Sequence, residues 1–566
     1  MESDGALAFC RLDGTPLVAD SSSADLDAGT MKLGSGPFAA EGETSRLTNA
    51  NTNVSNARGT GPTTVLGQPS EASRTLPLSK TKRHWALIGA VGVLLLIAAA
   101  AYAIYVARKS NSAISSIAVM PFVNASGNAD VEYLSDGMTE TLISSLSQLP
   151  TLNVKPRSSV FRYKGKETSP KTIGNELNVQ AILNGRVTQR GQDLSLFVEL
   201  IDVALDKVVW SQQYNRKQTD LVTLQADIAR DVSNRLTSKL SGADEAKVTK
   251  TYTTNPEAYQ LYLKGKFYYS KYNRESYQKA IEHYQQAIEL DPNYALAYLG
   301  IAESYNNASD FYLAPTDAMP KAKAAVLKAI ELDHTLAAAH YELGILIFWY
   351  DWDWAAAERE MKLAVELDPN YTIYGLYLAA MGKHDEAIRS QEATNRRAPL
   401  DLQFGMDLAG VYLAAGRTDQ SIEESRKTIE LDPNYWGGYQ ELGLALLGKK
   451  QFPEAIAALE KSRSLDNNPS VSGYLGFGYA AAGKKADAQR LLDELKEQSK
   501  KQYVPAYSIA IVYAGLNDKD QAFEWLNKAY DDRSFYIALL NFESTLDNLR
   551  PDPRFKELLK RANLPA

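Results

Sequence analysis

The eight residues IELDPNYA, from Ile288 to Ala295, decide how this chain is built, because near-copies return as VELDPNYT (Val365 to Thr372) and IELDPNYW (Ile429 to Trp436). The copies begin 77 and then 64 residues apart, and weaker versions fill the intervals: IELDHTLA at Ile330, RRAPLDLQ at Arg396, SLDNNPSV at Ser464 and YVPAYS at Tyr503. The underlying spacing settles near 34 residues. Each full copy ends a helical stripe in a proline turn, since proline lacks an amide hydrogen and clashes with the preceding turn of helix. Small residues recur where paired helices must approach closely, such as Ala280 and Ala287 in one unit and Gly443 and Ala455 in another. A helix pair of this size cannot bury its apolar face alone, so the repeat predicts a stack with a continuous core.

That period is the one of tetratricopeptide helix–turn–helix units. It predicts about eight repeats over residues 255–530, an all-α superhelix of the α-solenoid class. The first interval is longer, about 42 residues from Pro292 to His334, with the extra residues in the loop around Asn306–Pro320. Residues 531–566 lose the period. Physically they should cover the apolar end of the stack as capping helices.

Towards the N-terminus the composition changes twice. Trp85 to Val106, WALIGAVGVLLLIAAAAYAIYV, holds 22 residues with no charged or amide side chain. At about 1.5 Å of rise per residue such a helix just crosses a hydrocarbon core roughly 30 Å thick. Residues 85–107 are therefore expected to be a single transmembrane helix, followed by a linker at 108–114. Lys80, Lys82 and Arg83 flank one end and Arg108 and Lys109 the other. The positive-inside rule then favours a cytoplasmic N-terminus, with the C-terminal domains outside the cytoplasm of a bacterial inner membrane. Ala86, Gly89 and Ala90 would permit the span to pair in a homodimer. Residues 1–84 are rich in Ser, Thr, Gly, Ala and Asn, cannot bury enough surface to offset their ordering entropy, and are expected to form a disordered cytoplasmic head.

Between span and repeats lies a third composition. SIAVMPFVN (Ser116 to Asn124) is a β-branched apolar run ended by a turn. Leu134, Met138, Leu142, Leu146 and Leu149 then recur at helical spacing up to Pro150. Val179–Val187, Leu194–Val203 and Val208–Tyr214 form an antiparallel meander, and a last amphipathic helix spans about Asp220–Leu240. The alternation implies a mixed α/β domain over 115–241, joined to the repeats by a linker at 242–254.

SIAVMPFVN, EYLSDGMTETLISSLSQLP (Glu132 to Pro150), SSVFRYKG and AILNGRVTQRGQDLSLFVELID resemble the FlgO-like, TolB-amino-terminal-like domain of bacterial envelope and signalling proteins. In that family the module often follows a transmembrane helix and precedes tetratricopeptide repeats. It forms the non-catalytic C-terminal half of some bacterial serine/threonine kinases, adenylate cyclases and winged-helix regulators. The closing DPRFKELLKR (Asp552 to Arg561) resembles the terminal helix of the same kinase-linked repeat proteins. The resemblance implies a binding or sensing role and transfers no catalytic residue.

The residues themselves point away from catalysis. There is no HRD, DFG or APE kinase motif, no nucleophile elbow and no Walker loop. Cys10 is the sole cysteine, and the five histidines make no paired ligand motif. No cofactor and no metal are expected, and the net charge of −7 argues against a nucleic-acid partner. The 32 tyrosines and seven tryptophans are the more telling feature. Most should be core, but Tyr268, Tyr269, Trp349, Trp352 and Trp354 are candidate contacts for a protein or peptide in the repeat groove, with WYDWDW as an exposed aromatic patch. The sequence thus predicts a membrane-anchored, non-enzymatic scaffold or sensor. The other reading is the sensor half of a kinase- or cyclase-linked signalling system whose catalytic domain lies elsewhere.

Overall fold

The computed structural model describes residues 114–128, 131–236, 241–271, 273–397 and 401–565. The head, the Trp85–Val106 span and residues 108–113 of the linker lie outside the described residues. Among the described residues no helix is long and apolar enough to cross a membrane.

The α/β domain is built on a sheet of β1 (Ser116–Val119), β2 (Val123–Asn124), β3 (Asn153–Val154), β4 (Ala181–Arg190), β5 (Asp193–Asp202) and β6 (Lys207–Lys217). The strand order is β3-β1-β4-β5-β6, with β2 also on β4. β1 runs parallel to β3 and β4, whereas β4, β5 and β6 form the expected antiparallel meander. Helix α1 (Glu132–Ser147) links β2 to β3, followed by α2 (Arg157–Phe161) and α3 (Pro170–Leu177), and α4 (Leu221–Leu236) closes the domain. Leu134, Met138, Leu142 and Leu146 on α1 are at most 2% exposed, which is the burial their spacing calls for. Gly185 in β4 is required by a close approach: a Cβ there would stand 2.3 Å from the Phe122 ring. The expected linker carries a further helix, α5 (Gly242–Val248), which returns to α4 through Arg230 and Glu245 at 3.1 Å.

Eight helix pairs follow. The first helices are α6 (Pro256–Tyr269), α8 (Ala295–Ala308), α10 (Ala337–Leu346), α12 (Gly375–Ala380), α14 (Leu402–Ala414), α16 (Trp436–Gly448), α18 (Pro469–Ala481) and α20 (Ala506–Gly515). Their partners are α7 (Arg274–Leu290), α9 (Pro315–Leu332), α11 (Trp354–Leu367), α13 (His384–Arg397), α15 (Thr418–Leu431), α17 (Phe452–Leu465), α19 (Lys485–Ser499) and α21 (Lys519–Asp531). The Leu-Asp-Pro-Asn motif now has a mechanism. Asp291, Asp368 and Asp432 leave the helix in extended conformation, with φ of −144°, −143° and −145°, as a residue before proline prefers. Each carboxylate then accepts the amide N–H two residues on, at 2.9–3.1 Å, which fixes the turn into the next pair.

The turns inside the second to eighth pairs also share a signature. Gly382, Gly416, Lys450, Gly483 and Asn517 all take positive φ, and they fall 34, 34, 33 and 34 residues apart. In the second and third pairs the same left-handed position is held by Asp310 (φ 59°) and Trp352 (φ 59°). Neither is glycine, and Trp352 follows a π-turn at Ile347–Asp351. A side chain in that conformation costs on the order of 1 kcal/mol and persists only where surrounding contacts hold it.

Candidate functional site

Those contacts come from the far end of the chain. Asp310 is fully buried and accepts hydrogen bonds from Tyr503 Oη at 2.6 Å, Ser534 Oγ at 2.6 Å and the Phe535 amide at 2.8 Å. Burial pushes its carboxyl up to about 6. Trp352 packs against Tyr530 at 4.9 Å, with the Arg533 guanidinium 4.5 Å from its ring. Trp349 meets Phe535 edge-on at 5.2 Å, and Trp354 Nε1 donates to the Asn563 carbonyl at 2.6 Å. The segment after α21 therefore folds back onto the second and third pairs, and the extra residues around Asn306–Pro320 and WYDWDW form its seat. The cap does cover apolar surface, including that of its own helix α22 (Pro553–Arg561), but it also joins positions about 200 residues apart.

This corrects the expectation that WYDWDW is an exposed patch. Trp352 is 2% exposed, and Trp349 and Trp354 are half-buried with their rings engaged inside the molecule. The covering segment is too remote in sequence for periodicity to reveal it. Tyr268 and Tyr269 are also half-buried. Tyr268 stacks on His283 at 5.4 Å, and Tyr269 Oη accepts from Asn307 at 2.7 Å while its ring meets Tyr277. A run of ring contacts through Tyr277, Tyr312, Phe311 and Phe535 links Tyr269 to Trp349.

A different set of residues converges on the face made by the first helices. Glu303 on α8, Glu342 on α10, Asp407 on α14 and Glu441 on α16 form a row of carboxylates that sequence reasoning missed. Glu342, Asp407 and Glu441 are 8–9% exposed. Asn306 Nδ2 donates to Glu342 at 2.9 Å, Gln403 Nε2 to Asp407 at 3.0 Å and Gln440 Nε2 to Glu441 at 3.4 Å. Burial pushes Glu441 and Glu342 up to about 8 and Asp407 to about 7; Glu303 beside Glu342 is raised by the same cause. None of Glu342, Asp407 and Glu441 has an ion-pair partner among the described residues. The only available signal was an acidic residue one or two places before the Leu-Gly or Leu-Ala of a first helix, as in Glu342-Leu343-Gly344, Asp407-Leu408-Ala409 and Glu441-Leu442-Gly443.

At the N-terminal end of this face the α/β domain docks. A Cβ on Gly137 of α1 would stand 2.8 Å from Leu263 of α6, so glycine sets that approach. Tyr259 Oη donates to Thr141 at 3.2 Å. Glu140 lies between Arg157 and Lys266, the latter at 3.4 Å, and Arg157 reaches Ser270 at 3.0 Å. Asn370 donates to the Ser147 carbonyl at 3.1 Å, and Ser158 bonds Asp401 at the start of α14. Two domains read separately from sequence are thus one compact unit from Ala113 to Ala566.

With this geometry in hand, residues 269–307 match the family described as TPR repeat. That stretch holds α7 and most of α8, so the tetratricopeptide match falls on the first two helix pairs. Residues 112–231 match the second domain of HilA/YgeH-like transcriptional regulators, where the sequence motifs suggested a FlgO/TolB-like module. The chain is 30% identical over 236 residues to a protein named putative adenylate cyclase 3 from Rhizobium meliloti, covering 41% of this chain and 40% of that one. It is 32% identical over 249 residues to the transcriptional regulator HilA of Salmonella typhimurium, covering 42% and 38%. The chain thus spans about two fifths of these curated relatives. Among solved structures, YrrB, a TPR protein with an unusual peptide-binding site, aligns over 32% of this chain and 92% of its own at 19% identity and a TM-score of 0.22.

Proposed function

We propose that this chain is a membrane-anchored, non-enzymatic scaffold or sensor that binds protein or peptide partners on the inner face of its tetratricopeptide array. The observation that carries this reading is the set Glu342, Asp407 and Glu441 on the first helices, which is desolvated and has no ion-pair partner among the described residues. An array of helix pairs offers such a face as extended binding surface without a catalytic cleft. The test is a photo-crosslinking residue at Gln403, which is exposed beside Asp407, against one at Glu430 on the outer helix α15. A discrete protein or peptide adduct at 403 and none at 430 supports the reading; equal labelling at both positions sinks it.

Anchoring through Trp85–Val106, with the N-terminus cytoplasmic, belongs to the same proposal. Alkaline phosphatase and green fluorescent protein fused separately after Ala566 test it. Phosphatase activity without fluorescence puts the folded domains outside the cytoplasm, and the reverse pattern refutes that orientation. A second reading is the regulatory half of a signalling system, and the matched relatives favour it. A cyclase and a transcriptional regulator are named for different outputs, yet each shares about two fifths of its length with this chain. The common part then senses or binds, and the output lies in the unshared part. Cytoplasmic placement of Ala566 would move this reading ahead of the envelope scaffold.

A further inference from the structure

Glu441 on α16 lies within electrostatic reach of Asp407 on α14 and Glu543 in the C-terminal segment. Glu441 reaches from α16 towards the preceding first helix, with Oε2 3.6 Å from where a Cβ on Gly410 of α14 would stand. A side chain at Gly410 would stand against that carboxylate. Asp407 lies one turn earlier on α14, and Glu543 arrives from the C-terminal segment, held by Tyr474 Oη at 3.2 Å and the Thr545 amide at 3.1 Å. Asp407 and Glu543 each act electrostatically on Glu441, and among the described residues no cation is recorded doing so. None of the three carboxylates forms an ion pair among the described residues.

Hydrogen bonding tells the same story independently of charge. Gln440 is 7% exposed and turns its Nε2 to Glu441, yet its own Oε1 is buried with no donor among the described residues. A buried amide oxygen without a donor costs on the order of 1–3 kcal/mol and is uncommon in a folded protein. Glu543 also accepts from Thr545 Oγ1 at 2.9 Å, so the shortage of donors falls on Asp407, Glu441 and the Gln440 amide oxygen. A planar guanidinium, with five N–H donors in a rigid fork and a permanent positive charge, fits that deficit better than an ammonium, which is a compact point charge. Burial without a counter-cation also accounts for the raised Asp407 and Glu441 carboxyls.

We propose that Asp407, Glu441, Glu543 and the Gln440 amide form a pocket for an arginine side chain presented by the peptide partner of the array. This rests on the reading that the inner face binds peptides, and it adds what that peptide must carry. Gly410, on α14, places no side chain against Glu441. The cap supplies Glu543, so the pocket exists only when the C-terminal segment is seated.

The test uses the full chain and two pools of blocked heptapeptides with randomised flanks, one with arginine fixed at the centre and one with citrulline, which keeps the shape and removes the charge. Binding is measured by competition against a fluorescent member of the arginine pool. The expected result is at least tenfold tighter binding of the arginine pool, and loss of that preference in Glu441→Gln. That variant removes an unpaired buried charge, so its unfolding midpoint at pH 8 should equal or exceed that of the parent; Asp407→Asn is the second variant should Glu441→Gln fail to fold. Equal affinity for both pools overturns the arginine pocket while leaving peptide binding intact. Retention of the preference in the folded variant overturns it as well. No binding of the arginine pool at millimolar concentration, together with no adduct at position 403, sinks the pocket and the peptide-binding reading together.

Discussion

Trp352 offers the sharpest check on how the cap holds the array. Its indole is 2% exposed, and cutting a buried tryptophan back to alanine costs about 3–5 kcal/mol through lost burial and the cavity left behind. The Arg533 guanidinium at 4.5 Å and the Tyr530 ring at 4.9 Å lose their partner as well. One contribution runs the other way, since the buried indole Nε1 has no acceptor among the described residues and its removal relieves that cost. The net expectation for Trp352→Ala is about 3 kcal/mol of destabilisation. Trp352→Gly opens the same cavity but releases the left-handed backbone at φ 59°, so it should recover about 1 kcal/mol relative to alanine. The assay is urea unfolding followed by far-ultraviolet circular dichroism, with proteolysis after residue 530 as a local readout. Because repeat arrays need not unfold in one step, the comparison is of midpoints between the two variants and the parent. Two results refute the reasoning. If both variants unfold within about 0.5 kcal/mol of the parent, the indole is not the anchor of the cap; if glycine is no better than alanine, the backbone at 352 is not strained.

Asp310→Ala should free the same segment, because Tyr503 Oη, Ser534 Oγ and the Phe535 amide all lose their acceptor; about 2–4 kcal/mol is expected, and amide hydrogen exchange at 534–535 should rise. The carboxyls of Glu342, Glu441 and Asp407 are raised in the folded state, so the stability they contribute is fully present below about pH 4 and is lost as pH rises through about 7–8. The urea midpoint of the parent minus that of Glu441→Gln should therefore fall between pH 5 and pH 9, on the order of 2–4 kcal/mol; a flat difference would count against the desolvated row. Gly137→Val places carbon where Leu263 already stands, 2.8 Å away, and should loosen α1 from α6. Faster cleavage of the 237–255 connection, with the sheet still folded, is the expected sign; an unchanged cleavage rate would show that the interface tolerates the volume.

Much of this protein was legible locally. A proline turn every 34 residues or so, an apolar stripe between turns and small residues at the crossings specify helix pairs, because each signal acts within one unit and its neighbour. The Leu134-Met138-Leu142-Leu146 stripe and the β4–β6 meander were readable for the same reason: burial imposes periods of 3.6 and 2 on adjacent residues. The identity of that domain was less clear, since strand and helix patterns define an α/β layer without distinguishing one such module from another.

What only the tertiary structure decided lies between units far apart in sequence. WYDWDW looks like surface until residues 530–563 cover it, and Asp310 looks like a loop aspartate until three donors from beyond residue 500 converge on it. Glu441 is an ordinary helical glutamate until α14 and Glu543 enclose it. Short-range periodicity reports which side of an element is buried, but it carries no record of what buries it. The local code therefore determined the helix pairs and the sheet. Folding back of the C-terminal segment decided which aromatics are core and where the carboxylates meet.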